Sequence, residues 1–489
     1  MAERIVTSRG RGAVLRVADP EWRRLSELLR LRYPEWEWAT FVRLGWRDTA
    51  EGLVITLAAL DEPRPGDLDE SVGHVAIQEQ YTLRMALAAE HHRLAVGVVH
   101  SHPRNCIPRP SPIDDDMDGY YADYFSGFGP GRPYVSLILA EYDGRAVLSG
   151  RIAWRGEWLE VEQIAAPALV SIWGPHGPKP LPAPRARTAR LNSAMGADAA
   201  SLLRRARVAV IGAGGTGSPA IEVLARAGVG NFVIVDPDGI EESNLERVHG
   251  AYPHHASEHT PKVIVAKEHI LAIDPECQVQ AIIGRLPQPS IVDAVVLCDI
   301  VLGCTDQQHS RLAMSEIAFR YLVPAIDCGV TLEGSGGLLT GQIAQFVRLL
   351  PADACVLCQK MINPPRLAQE LMDDSERERR RRAAADASQR GDPADAYWHS
   401  DPQLNTVGYL TTAVGALAAG YAIGLITGRF APPFTRLQAN FGARFWDVTD
   451  PDIEPDGSCT CRKVRGWADQ GAVHALISPP SHWPEPKIG

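Results

Sequence analysis

The run RVAVIGAGGTG at 207–217, continued by SPAIEVLARAG at 218–228 and FVIVD at 232–236, decides the fold of the larger part of this chain. RVAVI and FVIVD are short, Val- and Ile-rich runs of the kind that form buried strands. A glycine turn and a helix-forming segment lie between them, so the order is strand, turn, helix, strand, the opening of a parallel βαβ sheet. Gly212, Gly214, Gly215 and Gly217 let the backbone approach a phosphate, and the start of the following helix offers free N–H groups. Asp236 ends the second strand, where a carboxylate can receive ribose hydroxyls. These features by themselves indicate a nucleotide without saying which one.

Further along come DPDGIEESNLER (236–247), PK (261–262) and CTD (304–306). They put Asp238, Asn244, Arg247, Lys262 and Asp306 at strand ends of one sheet, the usual ligand edge. Cations clamp a triphosphate and carboxylates hold Mg²⁺, whereas hydride transfer needs neither, so a dinucleotide-dependent oxidoreductase is disfavoured. AVVLCDIVLGC (294–304) and VPAIDCG (323–329) read as further parallel strands. Cys355-Val-Leu-Cys358 and Cys459-Thr-Cys461 are the close pairs among nine cysteines. One CxxC could be a redox motif, but a second pair favours a Cys₄ zinc site, because four thiolates complete a tetrahedron.

Taken in order, GxGGxG, DxD, SNLxR, PK and CTD resemble the ThiF/MoeB and ubiquitin-activating superfamily over about residues 185–461. The resemblance implies a Rossmann-like domain with a mostly parallel sheet. It implies Asp236 on the ribose, Asp238 beside it, Asn244, Arg247 and Lys262 on phosphates, and Asp306 on Mg²⁺ or the reacting acyl phosphate. Arg190, in RTAR (187–190), matches the arginine that reaches into a neighbouring subunit's site, which implies a homodimer. The paired cysteines agree with a structural zinc in that family, although CxC replaces the usual second CxxC. Val248 stands where Gln is common. The Ala- and Gly-rich stretch 404–428, with Gly420 and Gly424 four apart, reads as a packing or dimer helix rather than a membrane span.

The N-terminal part carries a different constellation. AVGVV (95–99) reads as a buried strand running into His100-Ser-His102-Pro, and SPID follows at 111–114. Histidines at i and i+2 on a strand end share one side, and Asp114 adds a carboxylate. Three protein ligands leave a fourth position for water, the arrangement of a catalytic zinc. HxHP and SxxD with an upstream Glu resemble the JAB/JAMM metallopeptidases over roughly residues 30–150. By that resemblance His100, His102 and Asp114 bind zinc, Ser111 steadies the tetrahedral intermediate, and an upstream Glu is the general base. Glu37, in EWATFV (37–42), is the first candidate for the base and Glu35 the second. Asp115, Asp116 and Asp118 read as ordinary acidity at a helix start.

A length of 489 residues calls for at least two domains. The division expected is a JAB/JAMM α/β metallopeptidase at 1–165, a Pro-rich linker at 166–188 and a ThiF-like domain at 189–489. The charge run within Asp373–Ala396 could form a solvated helix, but the RGDP that follows it makes a mobile loop the expectation there. The excess of Asp+Glu (59) over Lys+Arg (49) leaves no general grip on nucleic acid. The first residues lack an apolar run with a cleavage site, so a cytoplasmic protein is expected, without a membrane partner.

Joined, the two resemblances imply ATP-dependent adenylation of the C-terminal glycine of a ubiquitin-like protein, combined with zinc-dependent cleavage at that protein's tail. A conjugating enzyme or a sulfur donor would take the product. The competing reading is activation of a sulfur carrier for thiocarboxylate biosynthesis. Gln359–Ser458 contains no cysteine, so the chemistry is expected to stop at the acyl adenylate rather than pass to a thioester on this chain.

Overall fold

The computed structural model describes residues 8–32, 36–71, 74–102, 108–142, 145–165, 171–174, 177–178, 181–183, 185–394, 397–398, 406–442, 447–449, 453–471 and 475–489. The chain forms two compact units: Met1–Pro180 with Phe319–Leu322 and Thr460–His474, and Leu181–Ala318 with Val323–Cys459 and Ala475–Gly489.

In the first unit β1 (Ser8–Arg16) and α1 (Asp19–Arg32) precede β2 (Ala39–Asp48) and β3 (Gly52–Asp61). A small hairpin of β4 (Leu68–Ser71) and β5 (His74–Ile77) leads to α2 (Glu79–His92) and β6 (Ala95–Ser101). After α3 (Pro112–Phe128) come β7 (Tyr134–Tyr142), β8 (Arg145–Trp154), β9 (Glu157–Ala165), β10 (Ser171–Gly174) and β11 (Gly177–Pro178). Strands β1, β3, β2, β6, β7, β8 and β9 pair in that order, and β9 returns to β1, so the sheet closes into a barrel. Side chains of β6 alternate as the strand period requires. Ala95 and Val99 join a core with Leu15, Leu44, Ile55 and residues of α1. Val96 and Val98 face the other way, against Tyr81 and Met85 of α2 and Tyr121 and Phe125 of α3. By the same alternation His100 and His102 fall on the α3 side. The expected linker is partly sheet: Ser171 and Ile172 pair with β8.

The second unit opens with α4 (Ala189–Met195), α5 (Ala197–Arg205), β12 (Arg207–Ile211), α6 (Gly217–Ala227) and β13 (Asn231–Val235). Then follow α7 (Pro253–Ser257), α8 (Lys262–Ile273), β14 (Gln278–Ile283), α9 (Pro289–Val296), β15 (Ile300–Gly303) and α10 (Gln308–Arg320). The remainder is β16 (Ala325–Ser335), β17 (Leu338–Leu349), α11 (Pro364–Leu371), α12 (Asp374–Arg390), α13 (Gly408–Thr427), β18 (Arg436–Asn440), β19 (Asp447–Thr449) and, after α14 (Thr460–Lys463) of the first unit, β20 (Lys487–Ile488). The sheet order is β19-β18-β17-β16-β15-β12-β13-β14-β20. The sheet is mostly parallel only at its centre, β14-β13-β12-β15-β16. Both flanks are antiparallel, since β16 turns into β17 through the left-handed Gly336 and Gly337, a connection too short for a crossover.

Three local expectations change. Only Ile300–Gly303 of the 294–304 run is strand, because Ala294–Val296 completes α9. Asp373–Arg390 is not a loop: Asp373 caps α12 by accepting from Glu376 N at 2.8 Å, and Gly391 at φ 79° closes it. Pairs such as Arg382–Glu378 at 2.8 Å let the charge run support the helix. In α13 the close approach is made at Gly415, where a Cβ would stand 2.3 Å from Thr216 O, and at Gly424, packed on Phe430; Gly420 faces open space. The helix is apolar and long enough to cross a membrane, yet its Leu410, Val414, Ala418, Ala419, Ala422 and Ile423 are buried.

Candidate nucleotide cleft and metal centres

At the end of β6 the antiparallel partner is β2, with Ala39 opposite His100. Ser101 N donates to Trp38 O at 2.8 Å and Trp38 N to Ser101 Oγ at 3.0 Å, which carries the register on and sets Glu37 opposite His102. Ser111 caps α3: its Oγ accepts from Asp114 N at 3.2 Å, and its own N–H donates to Asp114 Oδ2 at 2.6 Å. This box aims the Asp114 carboxylate at the histidines. Oδ1 lies 3.2 Å from His100 Nε2, Oδ2 lies 3.6 Å from His102 Nε2, and the two Nε2 atoms are 3.3 Å apart. Two nitrogens and one oxygen with edges of that size fit zinc, whose tetrahedral ligand atoms stand about 3.3 Å apart. Burial works against charge on His100, but its bonds to Asp114 outweigh it and hold the pKa above the ordinary value; Glu37 adds to the same field. Asp114 is held far below the usual carboxylate range, burial being overcome by the two histidines.

Asp115 and Asp118 are not solvated helix-start acids. Both are buried and bind Arg151, with Asp118 Oδ2 accepting from Arg151 Nε at 2.7 Å and Oδ1 from Tyr134 Oη at 3.0 Å. This ion cluster pins α3, and with it Asp114, to the barrel; Asp116 stays exposed. Glu35 and Cys106 lie outside the described residues.

Cys355 Sγ stands 3.7 Å from Cys358 Sγ and 3.6 Å from Cys459 Sγ. These three thiols of the second unit form a donor set that suits zinc.

The glycine, DxD, PK and CTD motifs converge on one cleft of about 860 Å³ in the second unit. Gly212, at φ +95°, turns the chain out of β12, and Gly217 has no room for a side chain, since a Cβ would sit 1.9 Å from Gly212 O. Asp236 is buried; its Oδ2 accepts from Ala213 N at 2.7 Å and its Oδ1 from Asp238 N at 2.9 Å. Burial raises its pKa, and the nearby Lys262 charge only partly offsets that. Lys262 Nζ meets Asp238 Oδ2 at 3.0 Å. Asp306 follows β15 and pairs through Oδ2 with Arg366 Nη2 at 2.9 Å. Gly212, Gly214, Gly215, Asp236, Asp238, Lys262 and Asp306 line the cleft. Gly217, Asn244, Arg247 and Arg190 are not among its lining residues. Asn244 Oδ1 accepts from Glu241 N at 3.1 Å and closes a turn. Arg247 donates to Ser243 O at 3.0 Å, its stem against Gly215. Arg190 is exposed on α4.

The family model described as the ThiF family matches residues 186–461, more than half of the chain. The chain belongs to the ThiF family. Among curated relatives it is similar to the adenylyltransferase and sulfurtransferase UBA4 of Eremothecium gossypii, 37% identical over 147 residues, covering 29% of this chain and 31% of that protein. The sulfur carrier protein ThiS adenylyltransferase of Escherichia coli is 33% identical over 142 residues, covering 29% of this chain and 55% of that one. The SAMP-activating enzyme E1 of Haloferax volcanii is 29% identical over 166 residues, covering 34% and 57%. The chain thus spans about a third to somewhat over half the length of these curated relatives. Among solved structures, E. coli MccB with ATP aligns at a TM-score of 0.42 and 19% identity, over 57% of this chain and 74% of that one.

Sequence reasoning missed part of the ThiF cleft. Arg311, Arg366, Glu370 and Arg377 line it, from α10, α11 and α12. Glu370 takes the N–H groups of Gln308 at 2.9 Å and His309 at 3.0 Å, holding α11 on the start of α10. Burial opposes its ionisation, but these bonds and His309 Nδ1 keep its pKa below the ordinary value. Asp327, deeply buried beside Arg311 Nε at 2.7 Å, is pushed up to about 6 by that burial. Cys304 and Cys328 also line the cleft with their sulfurs 3.8 Å apart, and the Cys304 contact and burial keep the Cys328 thiol well above its usual range. No motif spacing signals Arg366 or Glu370, which lie about 60 residues from their partners.

Proposed function

We propose that the ThiF domain adenylates the C-terminal carboxylate of a ubiquitin-like or sulfur-carrier protein, using ATP and Mg²⁺ and releasing pyrophosphate. The observation that carries this reading is the meeting of the glycine loop, Asp236, Lys262 and Asp306 in one cleft of a ThiF-family domain. The carrier carboxylate attacks the α-phosphate; the new acyl–phosphate bond forms as the bond to pyrophosphate breaks. Backbone N–H groups of Gly214–Gly217 would meet the phosphates, Asp236 would receive the ribose, and Lys262 would balance charge on the leaving pyrophosphate. Asp306, which pairs with Arg366, would be the carboxylate that holds Mg²⁺. Arg190, exposed outside its own cleft, is assigned to the site of a second copy in a homodimer.

The first unit is proposed to cleave at the tail of the same class of protein. Zinc bound by His100, His102 and Asp114 would supply an acidified water at neutral pH. Glu37 takes the proton, Ser111 holds Asp114 in register, and the Asp115–Asp118–Arg151 cluster keeps α3 in place. Sulfur carriage remains the second reading, favoured by relatives named as sulfurtransferases and as a ThiS adenylyltransferase. The test is Mg²⁺-dependent ATP–pyrophosphate exchange by the full chain, with candidate carriers ending in glycine. Nucleotide binding without exchange for every carrier tested, together with tight NAD binding, would sink the adenylation reading.

A further inference from the structure

The edge of the sheet orders the cleft. Asp306 follows β15 and the glycine loop follows β12, so the phosphates belong there; Asp236 follows β13 and marks the ribose. Along the same edge the next strand is β14, whose end adds Gly284, Arg285 and Leu286 to the cleft wall. A nucleotide laid along this edge carries its base toward β14.

That end of the cleft is built with the segment Ser481–Gly489. Strand β20 pairs antiparallel with β14, Ile282 opposite Ile488 and Ile283 opposite Lys487, and Gly489 N donates to Ala281 O at 2.9 Å. The buried Gln288 ties both pieces together: its Nε2 donates to Pro484 O at 2.7 Å, and its Oε1 accepts from Arg285 N at 2.8 Å. Gly284 leaves the space for the segment, since a Cβ there would already stand 3.2 Å from Pro486 Cβ. Anchored this way, the segment delivers Trp483 to the cleft wall. The indole stands edge-on to His309, ring centroids 4.9 Å apart, with the Arg285 guanidinium 5.9 Å from its centre. His309 is 2% exposed; Nδ1 is used on Glu370, whereas Nε2 is buried without a hydrogen-bond partner among the described residues.

Trp483 is a large, part-exposed apolar surface in a cleft otherwise rich in Asp, Glu, Lys and Arg, and beside it stands one unsatisfied ring nitrogen, that of His309. A ligand part with a flat apolar face and a polar edge matches this combination, and a purine base is such a part. We propose that Trp483 is the platform on which the base of the nucleotide stacks, with His309 Nε2 as the polar group at its rim. This assignment rests on the adenylation reading and adds a base-recognising residue to it. Base–aromatic stacking is worth enough to make the contribution measurable.

The experiment is calorimetric titration of the full-length protein with Mg·ATP and, separately, with inorganic tripolyphosphate. Trp483→Ala should weaken ATP binding about tenfold and leave tripolyphosphate binding unchanged. Trp483→Phe, which keeps an aromatic face, should recover most of the ATP affinity. Equal ATP affinity in wild type and Trp483→Ala overturns the proposal while leaving adenylation standing. Equal losses for ATP and tripolyphosphate also overturn it, because a residue that only holds the fold affects both ligands alike. Failure of the wild type to bind either ligand would instead remove the adenylation reading itself.

Discussion

The two candidate sites sit at strand ends of different sheets, and they reach their geometry by opposite routes. In the first unit His100, His102 and Asp114 come from a 15-residue stretch and already converge, their ligand atoms separated by 3.2 to 3.6 Å. In the ThiF domain the charged groups come from five parts of the chain and are engaged with one another: Lys262 with Asp238, Asp306 with Arg366, Arg247 with Glu246. A metal triad is completed by one small ion and needs only a rigid local frame. A nucleotide site must exchange internal ion pairs for a large charged ligand, so its parts are held by mutual contacts that can be given up.

The sharpest way to break this contrast is to remove one group from each site. Asp306→Ala should lower ATP–pyrophosphate exchange by about 10²–10³-fold, because a charge placed for the transition state is lost. Tail cleavage by the first unit should be unchanged when measured on the same preparation. His102→Ala or Asp114→Ala should do the converse, removing one zinc per chain by elemental analysis and all cleavage while sparing exchange. Glu37→Ala should keep that zinc and lose cleavage, since it acts on the water rather than the metal. Cleavage that survives Glu37→Ala would move the base elsewhere, Glu35 first.

The long-range polar links of the ThiF domain can be probed through Glu222 on α6. His249 Nδ1 lies 2.8 Å from its carboxylate while His249 Nε2 reaches Thr412 of α13 at 3.0 Å. The His249 bond lowers Glu222 to about 2. A carboxyl group depressed in the folded state adds stability above its unfolded pKa, and that stability is lost as pH falls toward the folded value. Glu222→Gln should therefore cost about 1–2 kcal/mol at pH 7 by urea unfolding, with the gap to wild type closing between about pH 4.5 and 2. A gap independent of pH would show that the link is steric.

What was legible in the sequence follows the same contrast. HSHP with SPID, and GAGGTG with Asp236, are short motifs at the ends of neighbouring elements, so the fold brings their residues together. The charge run at 374–390 was misread because turn-like residues after it outweighed its cap and its i,i+4 pairs. Arg366 on Asp306, Glu370 on the start of α10, and Arg151 between Asp115 and Asp118 were invisible, since a pair 33 to 62 residues apart leaves no periodic trace. The antiparallel flanks of the second sheet escaped for a related reason: strand direction is set by the connection, not by strand composition.

The smallest effect expected is a null. Cys328 is 2% exposed and its thiol is kept protonated by Cys304 and by burial, which suits a packed side chain better than a nucleophile. Cys328→Ser should leave exchange within about twofold, and non-reducing gels of enzyme, ATP and carrier should show no thiol-sensitive adduct. An adduct that disappears in this variant would make Cys328 the acceptor.

The barrel of the first unit closes seven strands on themselves, while the ThiF sheet stays open. Its two margins are β19, three residues long, and β20, two residues long. Short margins of this kind deny another chain a template for strand addition. The segment bearing Trp483 therefore also shields β14, whose six residues would otherwise present unpaired N–H and C=O groups on one side. Loss of Ser481–Gly489 would create a sticky edge, and its first symptom would be self-association at high protein concentration.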